Sequence, residues 1–322
     1  MPKVNLSKNV NDFCIKYAIN TKKLKRLKND ASKRIYYRIS NYDKKSLLMD
    51  SSLEKRSLER FISISDWLKK NNLSSPNIYF KDINSGLLVI EDFGEFKYSI
   101  LCKKEKGKRE YYYKQAIKLL LSLSYKKKPT FIKNYDNKIL KNELNLYLKW
   151  YLKIDANKKA CKEWSKIWNY LLNKINYTQS CLVLRDFHVD NIFYLKNKKK
   201  EKKIGLIDYQ DSLIGHPAYD LVSLLQDVRV FLSREKQLNY YNYFLKNKKM
   251  NHDEFKYAYL VLGTQRLFKI IGIFNKLAKE QGKTNYLKYL PRTKTLLNNN
   301  LNYAIFNDLK SWLKKYTKDA KI

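Results

Sequence analysis

Leu-Arg-Asp-Phe-His-Val-Asp-Asn, residues 184–191, is the stretch on which the reading of this chain turns. It continues an apolar run at 181–184, so a strand feeds a polar loop holding Asp186 and, five positions on, Asn191. A second apolar run at 204–207 delivers Asp208, and Gly-His-Pro-Ala-Tyr-Asp-Leu follows at 215–221. One carboxylate at a strand end is ordinary. A carboxylate, a carboxamide five residues later and a second carboxylate after the next strand is the donor set that phosphoryl transfer from ATP requires. One acid accepts the hydroxyl proton, and an amide oxygen and another acid hold magnesium against the phosphates.

In that scheme Asp186 is the catalytic base. Asn191 and Asp208 are the magnesium ligands, oxygen donors suited to a hard cation. His188 either braces the loop or touches substrate. Asp190 is a spare loop acid or a substrate contact, and Asp211 either reaches metal or substrate or is an exposed acid. Asp220 falls in the first turn of the helix opened by Pro217, where its carboxylate can receive backbone N–H groups and steady the catalytic loop. His252 has no such context and is expected at the surface. No GxxxxGK[ST] occurs, which excludes a P-loop mechanism. The Gly-rich loop of protein kinases is also missing. Before the first hairpin the chain reads Asn29-Asp30-Ala31-Ser32-Lys33-Arg34, small polar residues and two cations able to hold phosphates through backbone N–H groups and charge.

The 322 residues suffice for two lobes with a substantial core, and 44% hydrophobic content is globular. Lys and Arg number 67 against 30 Asp and Glu, a net of +37. Such a balance ordinarily points to nucleic acid. Here the excess is mostly Lys and comes with abundant Asn, Ile and Tyr, residues of A/T-rich codons. Codon bias or an anionic substrate accounts for it, and no nucleic-acid partner is expected. The four cysteines, Cys14, Cys102, Cys161 and Cys181, form no CxxC pair, so reduced thiols are expected. Residues 1–20 lack the basic-then-apolar pattern of a signal peptide, and no apolar run approaches a membrane span. The sequence reads as a cytoplasmic, soluble protein, expected to be a monomer.

Along the chain, residues 33–39 and 45–49 read as a hairpin with its turn at 40–44. Apolar residues at helical spacing, including Leu58, Phe61, Ile64 and Leu68, predict a helix over 53–73 that ends near Asn71-Asn72. Residues 77–80 and 87–91 return to strand and close on Glu91-Asp92-Phe93-Gly94. Helices are expected over 111–125, 143–152, 164–175, 217–231, 255–279 and 301–316. The run Lys-Asn-Lys-Lys-Lys-Glu-Lys-Lys at 196–203 lies between strands without interleaved aromatics and reads as a solvated hairpin turn.

Together these residues resemble the aminoglycoside phosphotransferase/choline kinase superfamily. Within it the chain is most similar to the anomeric N-acetylmuramate/N-acetylglucosamine kinases of cell-wall sugar recycling. The likeness rests on residues 184–191, on Ile-Asp-Tyr-Gln-Asp through Asp-Leu-Val-Ser-Leu-Leu-Gln-Asp at 207–227, on the helix Gly-Thr-Gln-Arg-Leu-Phe-Lys-Ile-Ile-Gly at 263–272, on 283–292, and on 31–38. It implies an α+β, protein-kinase-like bilobal fold, with a small β-rich nucleotide-binding lobe at 1–92 and a larger helical lobe at 93–322. ATP and Mg2+ would bind in the cleft, with adenine on Glu91, Asp92 and Phe93 and phosphates near Ser32, Lys33 and Arg34. An amino sugar would be the substrate, its anomeric hydroxyl phosphorylated. Gln265, Arg266 and Lys269 would lie near the sugar, where an Arg or Lys could pair with a lactyl carboxylate; a helix face packed on the catalytic loop is the alternative. Other alcohols (an aminoglycoside, choline, homoserine) and a non-catalytic nucleotide- or partner-binding role remain as rival readings.

The chain departs from the superfamily in two places. Leu184-Arg185 stands where His-Gly is usual. The strand that normally carries a phosphate-gripping Lys reads Leu47-Leu48-Met49-Asp50. With that Lys gone, Lys33, Arg34 or Arg38 would have to grip the phosphates, and Glu54 and Glu59 on the next helix are expected to be surface acids.

Overall fold

The computed structural model describes residues 6–27, 33–40 and 45–317. Ser32 and most of the expected phosphate loop lie outside the described residues, as do positions 41–44 of the hairpin turn. In chain order the elements are α1 (Lys8–Lys16), β1 (Leu24–Arg26), β2 (Ile35–Ile39), β3 (Ser46–Asp50), α2 (Lys55–Lys70), β4 (Ile78–Asp82), β5 (Leu87–Glu91), α3 (Tyr98–Lys104), α4 (Arg109–Ser124), α5 (Asn137–Leu146) and α6 (Lys158–Asn173). There follow β6 (Cys181–Val183), β7 (Ile192–Tyr194), β8 (Ile204–Leu206), β9 (Leu213–Gly215), α7 (Ala218–Leu225), α8 (Arg234–Asn247), α9 (His252–Gln281), α10 (Leu290–Leu301) and α11 (Asn307–Tyr316).

The chain divides into two compact units, residues 1–119 with 189–212 and residues 120–188 with 213–322. The first unit therefore reaches past the lobe expected at 1–92 and takes in the Asn191–Asp208 segment.

The first unit is built on a five-stranded antiparallel sheet in the order β1-β2-β3-β5-β4. Its central strands, Ile-Tyr-Tyr-Arg-Ile, Ser-Leu-Leu-Met-Asp and Leu-Leu-Val-Ile-Glu, are rich in β-branched, aromatic and leucine side chains that suit a pleated, half-buried surface. One face packs with α1, whose Val10, Phe13 and Cys14 join Tyr37, Ile39, Leu48 and Val89 in a single cluster. Neither α1 nor β1 was expected, for both are short and carry lysines that mask their apolar side. Helix α2 buries Leu58, Phe61, Ile64 and Leu68, an i, i+3, i+6, i+10 stripe along one side. It ends where expected: Asn71 is its C-cap and Asn72 adopts a left-handed φ of 63°. The hairpin β7–β8 belongs to this unit. It is tied in by Leu206 N–H donating to the Ser74 carbonyl and by a bridge from Phe193 to Lys97. The lysine-rich run forms its connection and is largely exposed.

The second unit is helical around α9, thirty residues long. From Phe255 to Leu277 it is buried on nearly all sides, the pattern of a core helix. The Asn251 side chain caps its start by accepting from the Asp253 and Glu254 N–H groups, and Gly282 ends it at φ 63°. Trp164, Trp168, Tyr147, Phe268 and Trp312 pack edge-on and tilted around it. The helix expected to run from 217 to 231 stops at Leu225. Beyond it Gln226 and Asn300 exchange side-chain amide bonds, and the Asp227 carboxylate accepts the Arg229 N–H, so polar groups turn the backbone away. The helix expected over 301–316 is instead the end of α10 and a separate α11. No helix among the described residues is long and apolar enough to cross a membrane.

Candidate functional site

In the second unit, β6 pairs with β9 and hands the chain to the loop that carries Asp186. Two backbone N–H groups leave that strand with no ladder partner, those of Leu184 and Arg185. Both donate to the Asp220 carboxylate, at 2.6 and 2.9 Å. Asp220 thus does what its place in the first turn of α7 suggested. Burial lifts its pKa to about 7, against the pull of those two bonds and of Arg266. Arg185 sits at φ 69°, costly for a residue with a side chain. Turns on both sides, Asp186 N–H to the Leu184 carbonyl and His188 N–H to the Asp186 carbonyl, complete the bend. His188 is buried.

The Arg185 side chain explains how that bend is held. Its guanidinium meets the buried carboxylate of Glu143 on α5 and lies 5.3 Å from the Tyr135 ring centre. Glu143 also receives Lys269 Nζ at 3.0 Å, Gln265 Nε2 at 3.0 Å and the Tyr135 hydroxyl. Burial alone would raise its pKa, but Lys269 and Arg185, helped by the Tyr135 and Gln265 bonds, hold it down near 2. Glu143 is therefore the hub that ties α5, α9 and the Asp186 loop together. Neither it nor Tyr135 was singled out in the sequence. The signal was present only as a mid-helix acid among apolar neighbours. Gln265, Arg266 and Lys269 are all buried, at 0, 3 and 8% exposure, so the described face of α9 packs against this network. The Arg185 that replaces the usual glycine has a structural partner.

The metal-ligand candidates lie in the first unit. Asn191 closes the start of β7, and Asp208 follows β8 at φ 59°, a left-handed turn that Asp tolerates better than most residues. Their side chains meet, Asn191 Nδ2 donating to Asp208 Oδ2 at 3.3 Å, while Gln210 Nε2 donates to Oδ1 at 2.8 Å. Turning the Asn191 amide presents its oxygen beside the carboxylate. Among the described residues no group of three or more His, Cys, Asp or Glu gathers as a metal cage. One carboxylate and one amide fit magnesium, which keeps waters and takes its remaining ligands from phosphates. Asp208 and Asp211 are exposed and Asp190 is half-buried.

Helix α2 fixes the Asp208 loop. Arg60 donates from Nε to the Gln210 carbonyl and from Nη2 to the Ser212 carbonyl, each at 2.7 Å. Tyr209 stacks on Phe61, and its hydroxyl meets Ser65 Oγ at 2.5 Å. At the other end of the sheet, β5 runs into Glu91-Asp92-Phe93-Gly94. Asp92 N–H donates to the Lys45 carbonyl, and the Asp92 carboxylate takes Arg38 Nε at 2.7 Å and the Gly94 N–H at 2.8 Å. The Glu91 carboxylate holds Asn77. The Phe93 ring lies against Gly205, where a Cβ would come within 2.6 Å of it; only glycine permits that approach. A recess of about 350 Å³ opens at this turn, lined by Arg38, Ser46, Asp92, Phe93 and their neighbours. Lys33 is exposed and Arg34 buried. Glu59 is exposed as expected, but Glu54 is not a lone surface acid: its Oε2 lies 3.7 Å from Arg34 Nε.

Comparison with known proteins bears on the same residues. The profile of the phosphotransferase enzyme family (APH) matches residues 23–249. A protein of Caulobacter vibrioides named N-acetylmuramate/N-acetylglucosamine kinase is 28% identical over 80% of this chain and 75% of its own length. A protein of the same name from Neisseria meningitidis is 26% identical over 82% and 81%. Among solved structures, the ADP-bound aminoglycoside phosphotransferase APH(2'')-Ib superposes with a TM-score of 0.60 at 14% identity, covering 92% of this chain and 99% of that one. The choline kinase LicA from Streptococcus pneumoniae superposes with a TM-score of 0.60 at 13% identity, over 90% and 99%. At such identities the structures speak for the fold alone: protein-kinase-like, an antiparallel-sheet N-terminal region followed by a larger helical part.

Proposed function

Because the chain belongs to the phosphotransferase enzyme family, we propose that it is an amino-sugar kinase that transfers the terminal phosphoryl group of ATP to the anomeric hydroxyl of N-acetylmuramate or N-acetylglucosamine. The observation that carries phosphoryl transfer is the Asn191–Asp208 pair, one amide and one carboxylate in contact at the open end of the β7–β8 hairpin. The choice of acceptor draws on the relatives aligned over four fifths of the chain.

In this reading Asp186 orients the acceptor hydroxyl and takes its proton as the new sugar O–P bond forms and the bond from the terminal phosphorus to ADP breaks. An anomeric hydroxyl is more acidic than an ordinary alcohol, so a carboxylate is a strong enough base. Asp220, Arg185 and Glu143 hold the backbone that aims Asp186. Asn191 and Asp208 offer the oxygen donors for magnesium, which when bound supplies positive charge to the phosphates. The backbone of residues 91–93 receives adenine. The product, a sugar 1-phosphate, belongs to the reuse of cell-wall sugars.

Phosphorus NMR of the protein with magnesium and ATP tests this against N-acetylmuramate, N-acetylglucosamine, choline and kanamycin in separate tubes. A sugar 1-phosphate resonance that is lost in Asp186→Asn is expected, with a rate loss of roughly 10²- to 10⁴-fold. Turnover of choline or kanamycin with neither sugar accepted would reject the acceptor.

A further inference from the structure

We infer that Arg34, positioned by Glu54, is the cation that grips the nucleotide phosphates, so that the lysine absent from β3 has been replaced by an arginine at the entry to β2. This rests on the nucleotide-dependent phosphoryl transfer proposed above, and not on the identity of the acceptor.

Register comes first. In the β2–β3 pair Tyr36 faces Met49 and Arg38 faces Leu47, so these four side chains share one face of the sheet. On β3 that face offers only Leu47 and Met49, neither able to hold a phosphate. On β2 the period of two continues back from Arg38 and Tyr36 to Arg34, which brings a guanidinium to the same face one position beyond Met49. The row is graded. Arg38 is committed at one end to Asp92. Tyr36, in the middle, lies within electrostatic reach of Arg34, Glu54 and the metal-ligand candidate Asp208. Arg34 and Tyr36 both lie within electrostatic reach of Tyr209, the residue after Asp208. Lys33 lies in a bend before the strand and is exposed.

Arg34 is wired as a phosphate anchor should be. Its side chain is 2% exposed, and the start of α2 meets it with Glu54 at 3.7 Å and the Ser57 hydroxyl, while Tyr36 on β2 is also within hydrogen-bonding reach. The same helix, two turns on, grips the Asp208 loop through Arg60, Phe61 and Ser65. Helix α2 thus joins the cation to the metal ligand within one unit. That is the job done in protein kinases by the ion pair between a β3 lysine and a helix glutamate. Arginine suits the post: its planar fork matches phosphate oxygens, it cannot lose its charge, and it tolerates burial better than an ammonium does.

Equilibrium binding, with no acceptor present, tests the assignment. Titration calorimetry would compare magnesium-ADP with adenosine on the wild-type protein and on Arg34→Met, Arg34→Lys and Glu54→Gln, with circular dichroism of each to show that it is folded. Arg34→Met should lower ADP affinity by roughly 10- to 100-fold and leave adenosine affinity within about twofold, the size of one or two charge-assisted bonds. Arg34→Lys should recover part of the loss. Glu54→Gln, which keeps the size of the side chain, should cost roughly 3- to 10-fold for ADP only. Equal losses for ADP and adenosine would make Arg34 a packing residue and overturn the inference. So would unchanged ADP binding in Arg34→Met, or a wild-type protein that binds no ADP. Phosphorylation of an unexpected acceptor with the ADP pattern intact would sink the amino-sugar reading alone.

Discussion

Two acidic sites on this chain are built to opposite standards. The turn carrying Asp208 is exposed, and its carboxylate accepts from two side-chain amides, Gln210 at 2.8 Å and Asn191 at 3.3 Å. The loop carrying Asp186 rests on a buried lattice: Asp220 fixes two consecutive backbone N–H groups, and Glu143 draws in Arg185, Lys269, Gln265 and Tyr135. The difference follows from the work each site is given in the proposed reaction. A metal ligand must shed its amide partners and accept a hydrated cation from solvent, so a light hold is an advantage. A general base must meet one proton in one geometry, and small displacements there are expensive.

The sharpest way to break this contrast is to remove the ligand itself. Asp208→Asn exchanges a charged oxygen for a neutral amide on an exposed turn. Stability should stay within about 1 kcal/mol, since surface changes usually cost little. Turnover should fall by roughly 10²-fold or more, with the magnesium concentration for half-maximal rate shifted upward, because charge at the phosphates is the main catalytic resource. A magnesium titration of initial rates reads this directly. An unchanged titration curve would take Asp208 out of the metal site.

How much of this was legible beforehand also divides along the same line. Asp186, Asn191, Asp208 and Asp220 stood out because the chemistry proposed for them depends on spacing along the chain, and spacing is written in a sequence. Four of the sheet's five strands and α2 were readable, the strands from short aromatic and apolar runs and the helix from its 3.6 period. Glu143 was hidden, since its partners come from 135, 185, 265 and 269 and only the packing of α5 on α9 brings them together. The burial of Arg266 and Lys269 was hidden for the same reason: a cation on a helix looks solvent-facing until the helix is seen to be surrounded. The short helix α7 ends six residues before the expected position 231 because side-chain bonds at Gln226 and Asp227 override an apolar pattern that runs on.

The buried side of the contrast can be sharpened at its hub. Glu143→Gln leaves Arg185 and Lys269 in a buried site without their anion, a loss of about 3 kcal/mol or more. Turnover should drop by roughly 10-fold through a loosened Asp186, with the affinity for nucleotide unchanged. The pH dependence carries a sign. Glu143 has its pKa depressed from 4.5 to about 2 by Lys269 and Arg185 against the cost of burial. Its contribution to stability is therefore complete above about pH 4.5 and is lost as pH falls towards 2. Denaturant titrations from pH 7 to pH 2.5 should show the gap between wild type and Glu143→Gln narrowing below pH 4.5. A gap that stayed constant would mean that Glu143 is not the charged hub.

Tyr209→Phe probes the lightly held side and should give the smallest effect. The Tyr209 hydroxyl meets Ser65 Oγ, and Ser65 itself donates to the Phe61 carbonyl at 2.6 Å, so Tyr209 is the donor of that pair. Phenylalanine keeps the stack on Phe61, 5.1 Å between ring centres, and leaves the two Arg60 bonds to the loop carbonyls in place. What disappears is one buried hydroxyl bond, worth about 1 kcal/mol of stability. Asp208 is set by its own amide partners and by the Arg60 clamp, so turnover and the magnesium requirement should stay within about twofold, a change well under 1 kcal/mol. A tenfold loss in rate would show that the metal loop depends on distant buried bonds as the Asp186 loop does, and the two sites would then be held to one standard after all.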